Sequence, residues 1–477
     1  MKDKKQWALI SAFLLAGLFL LVKPVQDLDE LWNYGFAGYI FHGMVPYRDF
    51  NMVQTPLSAW LGAVWLSLFG QDLWVFRLLG ALLFGAVFGI MHLLLCRITG
   101  SRVVAFVAAS FSAALCWLIW MYNYNHLNLL VLLLCLYLRY LTEQQDKKKV
   151  CHLRWIISLL WGLTPAIKQS TGAVMLVFHL VSCLLEWRGR KQSAKAVLLQ
   201  IVFAVMPGAA FMLWLAVSGA LPDFWDYAVA GVGTFTHSQS WVAYIFFGPI
   251  DFAVGCFPVL VTVLSIRAIY KNSGAVSWRY HAYCLCACWA GAFVAYPICD
   301  FVHMCVAAVP FVIPLLCCTG EIRLTRKEKA VCWIVASLVL SFPGVLGCEK
   351  LPMYKTCELS CYNGLPIEPE LENQLRAVGN YVEQMGNRGL EVLIADPSAA
   401  AYMLPTGRYY RDFNLLLVGN VGTKTAQQLL CRENAVYLIL PADAPKANQS
   451  HEEVIGYIRE HYEKIGEVSC FEAYASN

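Results

Sequence analysis

Runs of about 20 apolar residues, the length that crosses a bilayer as a helix, recur along this chain between short polar stretches. Six of those stretches are basic: "MKDKK" at the start, "RITGSR" (97–102), "EQQDKKKVCHLR" (143–154), "EWRGRKQSAK" (186–195), "RAIYKNSGAVSWR" (267–279) and "EIRLTRKEK" (321–329). Lys and Arg prefer cytoplasmic loops, so all six are expected inside. That demand leaves about eleven spans, starting near residues 7, 74, 103, 125, 154, 171, 196, 243, 280, 302 and 330. An odd count puts the C-terminus outside. One apolar run, "PLSAWLGAVWLSLFG" (56–70), would break the alternation if it crossed. It is short for a span and is expected to lie as a helix on the outer surface. The stretch from 154 to 187 admits two readings, because "GLTPAIKQSTG" fits either a loop between two spans or a kink in one tilted helix. The second would reverse everything downstream.

From about residue 347 the pattern changes. An amphipathic "ELENQLRAVGNYVEQMGNRG" is followed by a strand-like "LEVLIAD", a helix-like "TKTAQQLLCREN", a strand "AVYLILPAD", and "HEEVIGYIREHYEKIGEV" before a last strand. Alternating helices and strands predict a small α/β domain. The expected organisation is a transmembrane module over 1–346, with an outer loop at 24–73, and an extracytoplasmic α/β domain over 347–477. No internal repeat of the kind many transporters carry is visible.

Composition sharpens this picture. Of the 477 residues 59% are hydrophobic and only 14% charged, with a mean hydropathy of +0.55. Such a chain cannot cover a soluble surface with polar groups, so it is a polytopic α-helical membrane protein. The net charge of +4 sits in the loops named above, which argues for membrane orientation and against nucleic acid. The first apolar run follows a basic start but no small-residue cleavage site, so it is expected to stay as the first span. "CLCAC" (Cys284, Cys286, Cys288) invites a metal reading, yet positions two apart on a helix point about 200° from each other and do not converge. Among the five cysteines after Cys332, Cys357 and Cys361 could pair, which sequence does not decide.

Candidate chemistry gathers on the predicted outer side. Asp27, Asp29 and Glu30 follow the first span, and His42, Arg48, Asp49, Gln54, Arg77, Asn123, Asn125, His126, Lys168, Gln169, His237, Asp300 and His303 fall on the same side. Carboxylates that merely end a span would need no such company; a concentration of polar groups at one membrane depth suggests a reaction chamber. An enzyme moving a sugar from a polyprenyl phosphate needs a base for the acceptor hydroxyl and a cation for the departing phosphate. Neighbouring residues on a helix diverge by about 100°, so Asp29 and Glu30 cannot both face one hydroxyl. Asp29 is assigned as base and Glu30 as a supporting or acceptor-binding group; Lys168 and Arg77 are assigned to the donor phosphate. Arg48, Asp49, Gln54, Asp300 and His303 are assigned to substrate binding. Each has a plainer reading: Lys168 as a snorkelling lysine, Arg48 and Asp49 as a turn pair, Asp300 with His303 as a helix cap, and "YNYNH" as capping asparagines. Asp300 with His303 could also hold a divalent metal, but no spacing is strong enough to assign one.

The Asp-Glu pair after the first span, the following "GMVPYRDF", the Pro-initiated "QTPLSAWLGAVWLSLFG" and the Arg opening "VFRLLGALLFGAVFGI" resemble the GT-C membrane glycosyltransferases. Within them the first 345 residues or so are most similar to bacterial relatives of the polyprenyl-phosphate-mannose protein mannosyltransferases and the lipid A aminoarabinose transferases. The resemblance implies an inverting enzyme at the outer face of the cytoplasmic membrane. It also implies a polyprenyl-phosphate sugar as donor, an outer-loop Asp as base, matched by Asp29, and Pro, Asp and His as at "YPICDFVH". The chain departs from it at Gln54, Thr55 and Pro56, where many relatives place His or Lys with two prolines. It also lacks the luminal domain that eukaryotic protein mannosyltransferases insert, which weighs against a protein acceptor.

The expected function is therefore transfer of a hexose or pentose to a cell-envelope glycan, glycolipid or protein. A transporter or lipid flippase is the alternative, although its charges should sit near mid-membrane on broken helices. A non-catalytic assembly partner is a third.

Overall fold

The computed structural model describes residues 2–26, 28–144, 151–189, 192–234, 240–319, 322, 324–349, 351–417, 419–442 and 451–475. Helices begin close to every expected span start: α1 (Lys2–Leu18), then, after α2 (Leu28–Phe41) and α3 (Leu57–Phe69), α4 (Leu73–Thr99), α5 (Arg102–Trp117), α6 (Tyr124–Gln144), α7 (Cys151–Ile167), α8 (Gln169–Arg188) and α9 (Ala194–Val217). They continue as α10 (Pro249–Tyr270), α11 (Trp278–Ala292), α12 (Phe301–Ala308), α13 (Val312–Cys317) and α14 (Arg326–Glu349). Among the described residues six stretches are long and apolar enough to cross a membrane: α4, α6, α8, α9, α10 and Arg326–Met353. The stretches Gln6–Val22, Arg102–Trp117 and Phe301–Cys317 are apolar but shorter.

Contacts divide the chain into two compact units, one holding residues 1–20, 78–213 and 238–347, the other 21–77, 214–237 and 348–477. The first is a helical bundle. Its α1 lies on α4, where a side chain at Gly85 or Gly89 would approach Leu14 or Ile10 to 3.1 Å. Small residues four apart allow this close packing in lipid, where apolar side chains gain nothing from avoiding water. Around residues 154–187 the structure decides between the two readings. A Cβ at Gly172 would lie 2.1 Å from the Thr164 carbonyl oxygen, and Thr164 Oγ1 donates to the Gly172 carbonyl at 3.1 Å. One continuous helix would hold these residues about two turns apart, so α7 and α8 are a hairpin. The expected loop at 166–171 shrinks to a one-residue break at Lys168.

The second unit contains α2 packed on α3 and a four-stranded sheet. Strands β1 (Glu391–Ile394), β2 (Ala435–Ile439), β3 (Glu463–Val468) and β4 (Phe471–Ala475) run in the order β1-β2-β4-β3, with β1 and β2 parallel and the other pairs antiparallel. Every residue of β2 is buried, as expected of a strand covered on both faces. Helix α15 (Pro369–Gly386) turns Leu375, Val378, Val382 and Met385 inward. The stretch "HEEVIGYIREHYEKIGEV" forms a helix over Glu452–His461 and then β3. Past Tyr462 the helical spacing of apolar residues ends, and β3 pairs with β4 through a turn at Ser469, whose φ is 55°. As the exposed edge, β3 carries Lys464 between Glu467 and Glu472, each at 2.8 Å; such charges discourage pairing with another chain.

The α/β segment after 347 does not pack alone. Asn51 Nδ2 donates to the carbonyls of Leu415 and Asn420 at 3.0 and 2.9 Å. Trp32 Nε1 donates to the Pro397 carbonyl at 3.0 Å, and the Val25 N–H to the Pro366 carbonyl at 2.9 Å. The residues around α2 and α3, expected within the membrane module, thus share a core with the C-terminal residues. Cys357 and Cys361 are both free thiols, and on α11 Cys284 and Cys288 are buried while Cys286 is exposed.

Candidate functional site

Helix α2 opens on Asp29 and Glu30, both in its first turn, where the helix dipole favours negative charge. The two diverge as adjacent helical positions must. Asp29 is half-buried. Glu30 is 4% exposed and accepts from Arg77, with Nε to Oε1 at 3.0 Å and Nη2 to Oε2 at 2.7 Å. Arg77 also donates to the carbonyls of Lys23 and, at 3.1 Å, Pro24. Glu30 and Arg77 were expected to serve separate roles; the structure binds them to each other. The guanidinium ties the first turn of α2 and the preceding backbone to the start of α4, and its donors are directed at protein oxygens. Asp27 and His237 lie outside the described residues.

The turn after α2 holds Arg48 and Asp49 as a bidentate pair, both contacts at 2.8 Å. The hydrogen bond from Arg48 holds the Asp49 carboxyl below its ordinary range against partial burial, with help from the Val45 N–H at 2.7 Å. This is the turn pair of the plainer reading. Tyr47 donates its hydroxyl to the Gln54 carbonyl at 2.8 Å, placing Gln54 in the same buried turn.

The helical unit brings Lys168, Asp300 and His303 into one region and adds a residue that the sequence reading gave only a minor place, Asn125. Lys168, 7% exposed, donates from Nζ to Asn125 Oδ1 and to the Val294 carbonyl, both at 3.1 Å. It also lies 5.4 Å from the Tyr124 ring centroid. A buried ammonium held by neutral oxygens does not snorkel. The signal for Asn125 was its place in the first turn of α6, two residues past the cap, where Asn123 Oδ1 accepts from the His126 N–H at 2.9 Å. His126 itself stacks on Trp120 at 4.0 Å. Asp300 caps α12, accepting at Oδ1 from both the His303 N–H and Nδ1 at 2.8 Å. Asp300→Ala is expected to lower the stability of the purified protein by about 1 kcal/mol, the usual value of an N-cap, visible as a small drop in unfolding midpoint. Among the described residues no group of three or more His, Cys, Asp or Glu is placed to hold a metal.

A multi-span helical bundle, a helix opening on two carboxylates, and a small C-terminal sheet make up a fold that solved structures share, two of them as follows. ArnT from Cupriavidus metallidurans in the apo state aligns with a TM-score of 0.57 at 12% identity, over 99% of this chain and 98% of that one. The same protein bound to undecaprenyl phosphate aligns with a TM-score of 0.51 at 14% identity, over 98% and 97%. No family model and no curated protein matches the sequence.

Proposed function

We propose that this protein is an inverting membrane glycosyltransferase that moves a hexose or pentose from a polyprenyl phosphate to a cell-envelope acceptor outside the cytoplasmic membrane. The observation that carries this reading is a half-buried carboxylate, Asp29, opening the first outer-loop helix of a chain whose whole length follows the fold of ArnT. The undecaprenyl phosphate bound by that ArnT structure supports a donor of the same chemistry here. In this reading Asp29 takes the proton of the acceptor hydroxyl as its oxygen bonds to the anomeric carbon, and the polyprenyl phosphate leaves from the opposite side. Glu30 and Arg77 fix the helix turn that presents Asp29. Helix α3 leaves Leu61, Val64, Leu68 and Phe69 exposed, a face suited to the lipid boundary, as proposed for a surface helix. The basic loops would lie in the cytoplasm, with eleven crossings and the C-terminal sheet outside.

Lys168 supplies charge to the donor phosphate. Lys168→Ala is expected to weaken polyprenyl-phosphate binding by roughly 10- to 100-fold, as for loss of a charge-assisted hydrogen bond, with Lys168→Arg intermediate. Unchanged lipid affinity with a lowered unfolding midpoint would leave Lys168 as a structural residue only. The function itself is tested by incubating purified protein with a panel of radiolabelled polyprenyl-phosphate sugars and following lipid discharge. Discharge of at least one donor is expected; demonstrated transport with no donor discharged would overturn the proposal.

A further inference from the structure

The second unit encloses a cavity of about 390 Å³ among α2, the turn between α3 and α4, and the segments near residues 360 and 404–409. We infer that this cavity binds a pyranose-sized, hydroxyl-rich group that carries no negative charge. As the place where the acceptor's own sugar docks, it rests on the transferase reading above; as a binding site it stands on the observations that follow.

Its size lies within the range of pockets that enclose small ligands. Its walls combine ring faces with polar groups. Phe41, His42 and Tyr409 supply the rings, and Asp72, Ser360 and Thr406 supply oxygens. Tyr409 is fixed from behind by the buried ring of Tyr39, in edge contact at 4.4 Å, and lies 5.8 Å from the His42 ring. The Tyr409 hydroxyl, which burial pushes above its ordinary range, is a donor at neutral pH as any phenol is. Asp72 sits in the turn before α4, where Trp74 Nε1 donates to its Oδ2 at 3.2 Å. Tyr34 donates its hydroxyl to the neighbouring Gln71 carbonyl, which fixes that turn against α2.

Charge decides the ligand class. Among the described lining residues there is a carboxylate but no Lys or Arg. A phosphate or uronate entering here would meet Asp72 with no fixed cation to offset the repulsion. A purely apolar ligand would strip water from Asp72, Ser360 and Thr406 without replacing their hydrogen bonds. A polyol meets both demands: its hydroxyls donate to the carboxylate, and its C–H face lies on an aromatic ring.

Gly38 is an independent sign. It stands in the last turn of α2 and lines the cavity, and a Cβ there would meet nothing within 4 Å. Glycine inside a helix lowers helix stability, and here neither a close approach nor an unusual backbone angle requires it. Its effect is to keep the cavity open on that side. A side chain as large as phenylalanine would take up much of it.

The test measures saccharide binding to the purified full-length protein by titration calorimetry, using neutral hexoses and pentoses, amino sugars, a uronate and inorganic phosphate. Undecaprenyl-phosphate affinity, donor discharge and unfolding midpoint are followed alongside. At least one neutral or amino sugar is expected to bind, and the uronate and phosphate are not. Gly38→Phe and Asp72→Asn are expected to weaken that binding at least tenfold while lipid affinity and midpoint hold. Gly38→Ala, which meets no neighbour, reports that the helix tolerates a side chain. The inference fails if no saccharide binds the wild type, if both variants bind as well as the wild type, or if Gly38→Phe removes phosphate binding instead. Donor discharge with no saccharide binding sinks the pocket and leaves the transferase standing; saccharide binding without discharge of any donor does the reverse.

Discussion

Asp29→Asn is expected to lower sugar transfer by roughly 10²- to 10⁴-fold, the usual contribution of a positioned general base, while polyprenyl-phosphate affinity stays within a few-fold of wild type. The substitution keeps the shape of the side chain and its ability to accept hydrogen bonds, but an amide does not take up a proton. A loss confined to turnover therefore isolates proton transfer from binding. Asp29→Glu, which retains the carboxylate but moves it by one methylene, should fall between the two, because the base must lie within hydrogen-bond reach of the hydroxyl. Glu30→Gln offers the contrast. Its carboxylate is already held by Arg77 at 2.7 Å, so its loss should appear first in the unfolding midpoint and only secondarily in turnover. If Asp29→Asn transfers sugar within a few-fold of wild type, Asp29 is not the base.

The two carboxylates could be told apart only in part from the sequence. Helical geometry required them to point in different directions, but which faced Arg77 depended on a residue 47 positions away. The helices themselves were legible because their signal is local. Apolar runs between basic loops mark each start, and α4, α6, α8 and α9 begin within two residues of the expected positions. What stayed hidden was long-range. Asn51 reads as an ordinary turn residue, yet it reaches carbonyls 364 and 369 residues further on, and this is how the segment around α2 and α3 comes to share a core with the C-terminal sheet. The hairpin at Lys168 was ambiguous for the same reason, since contacts between residues far apart, such as Gly172 with Thr164 and His179 Nε2 with Ser158 Oγ at 2.9 Å, exclude one kinked helix. Strand β3 was hidden by its polarity. An edge strand with one open side need not alternate cleanly, and it is defined by its partner β4 more than by its own residues. Nothing in the sequence marked Gly38; that it borders a cavity needed the residues near 404–409 to be in place.

Arg77→Met is expected to destabilise the protein by about 3 to 5 kcal/mol, the usual cost of removing one partner from a buried ion pair. The side chains of Arg77 and Glu30 are 1% and 6% exposed. Methionine fills much of the space left by arginine but leaves a buried carboxylate whose cation has gone, and the carbonyls of Lys23 and Pro24 lose their donor as well. The double variant Glu30→Gln/Arg77→Met removes the charge that Arg77→Met strands. It should therefore be more stable than Arg77→Met alone, a coupling that a double-mutant cycle on unfolding midpoints and refolding yields would read out. The same cycle tests the role originally assigned to Arg77. A cation that gripped the donor phosphate would show its loss in lipid affinity, and Glu30→Gln could not restore it. Full recovery of lipid affinity in the double variant places the guanidinium in the scaffold that orients Asp29. Persistent loss of affinity in a well-folded double variant returns it to the phosphate.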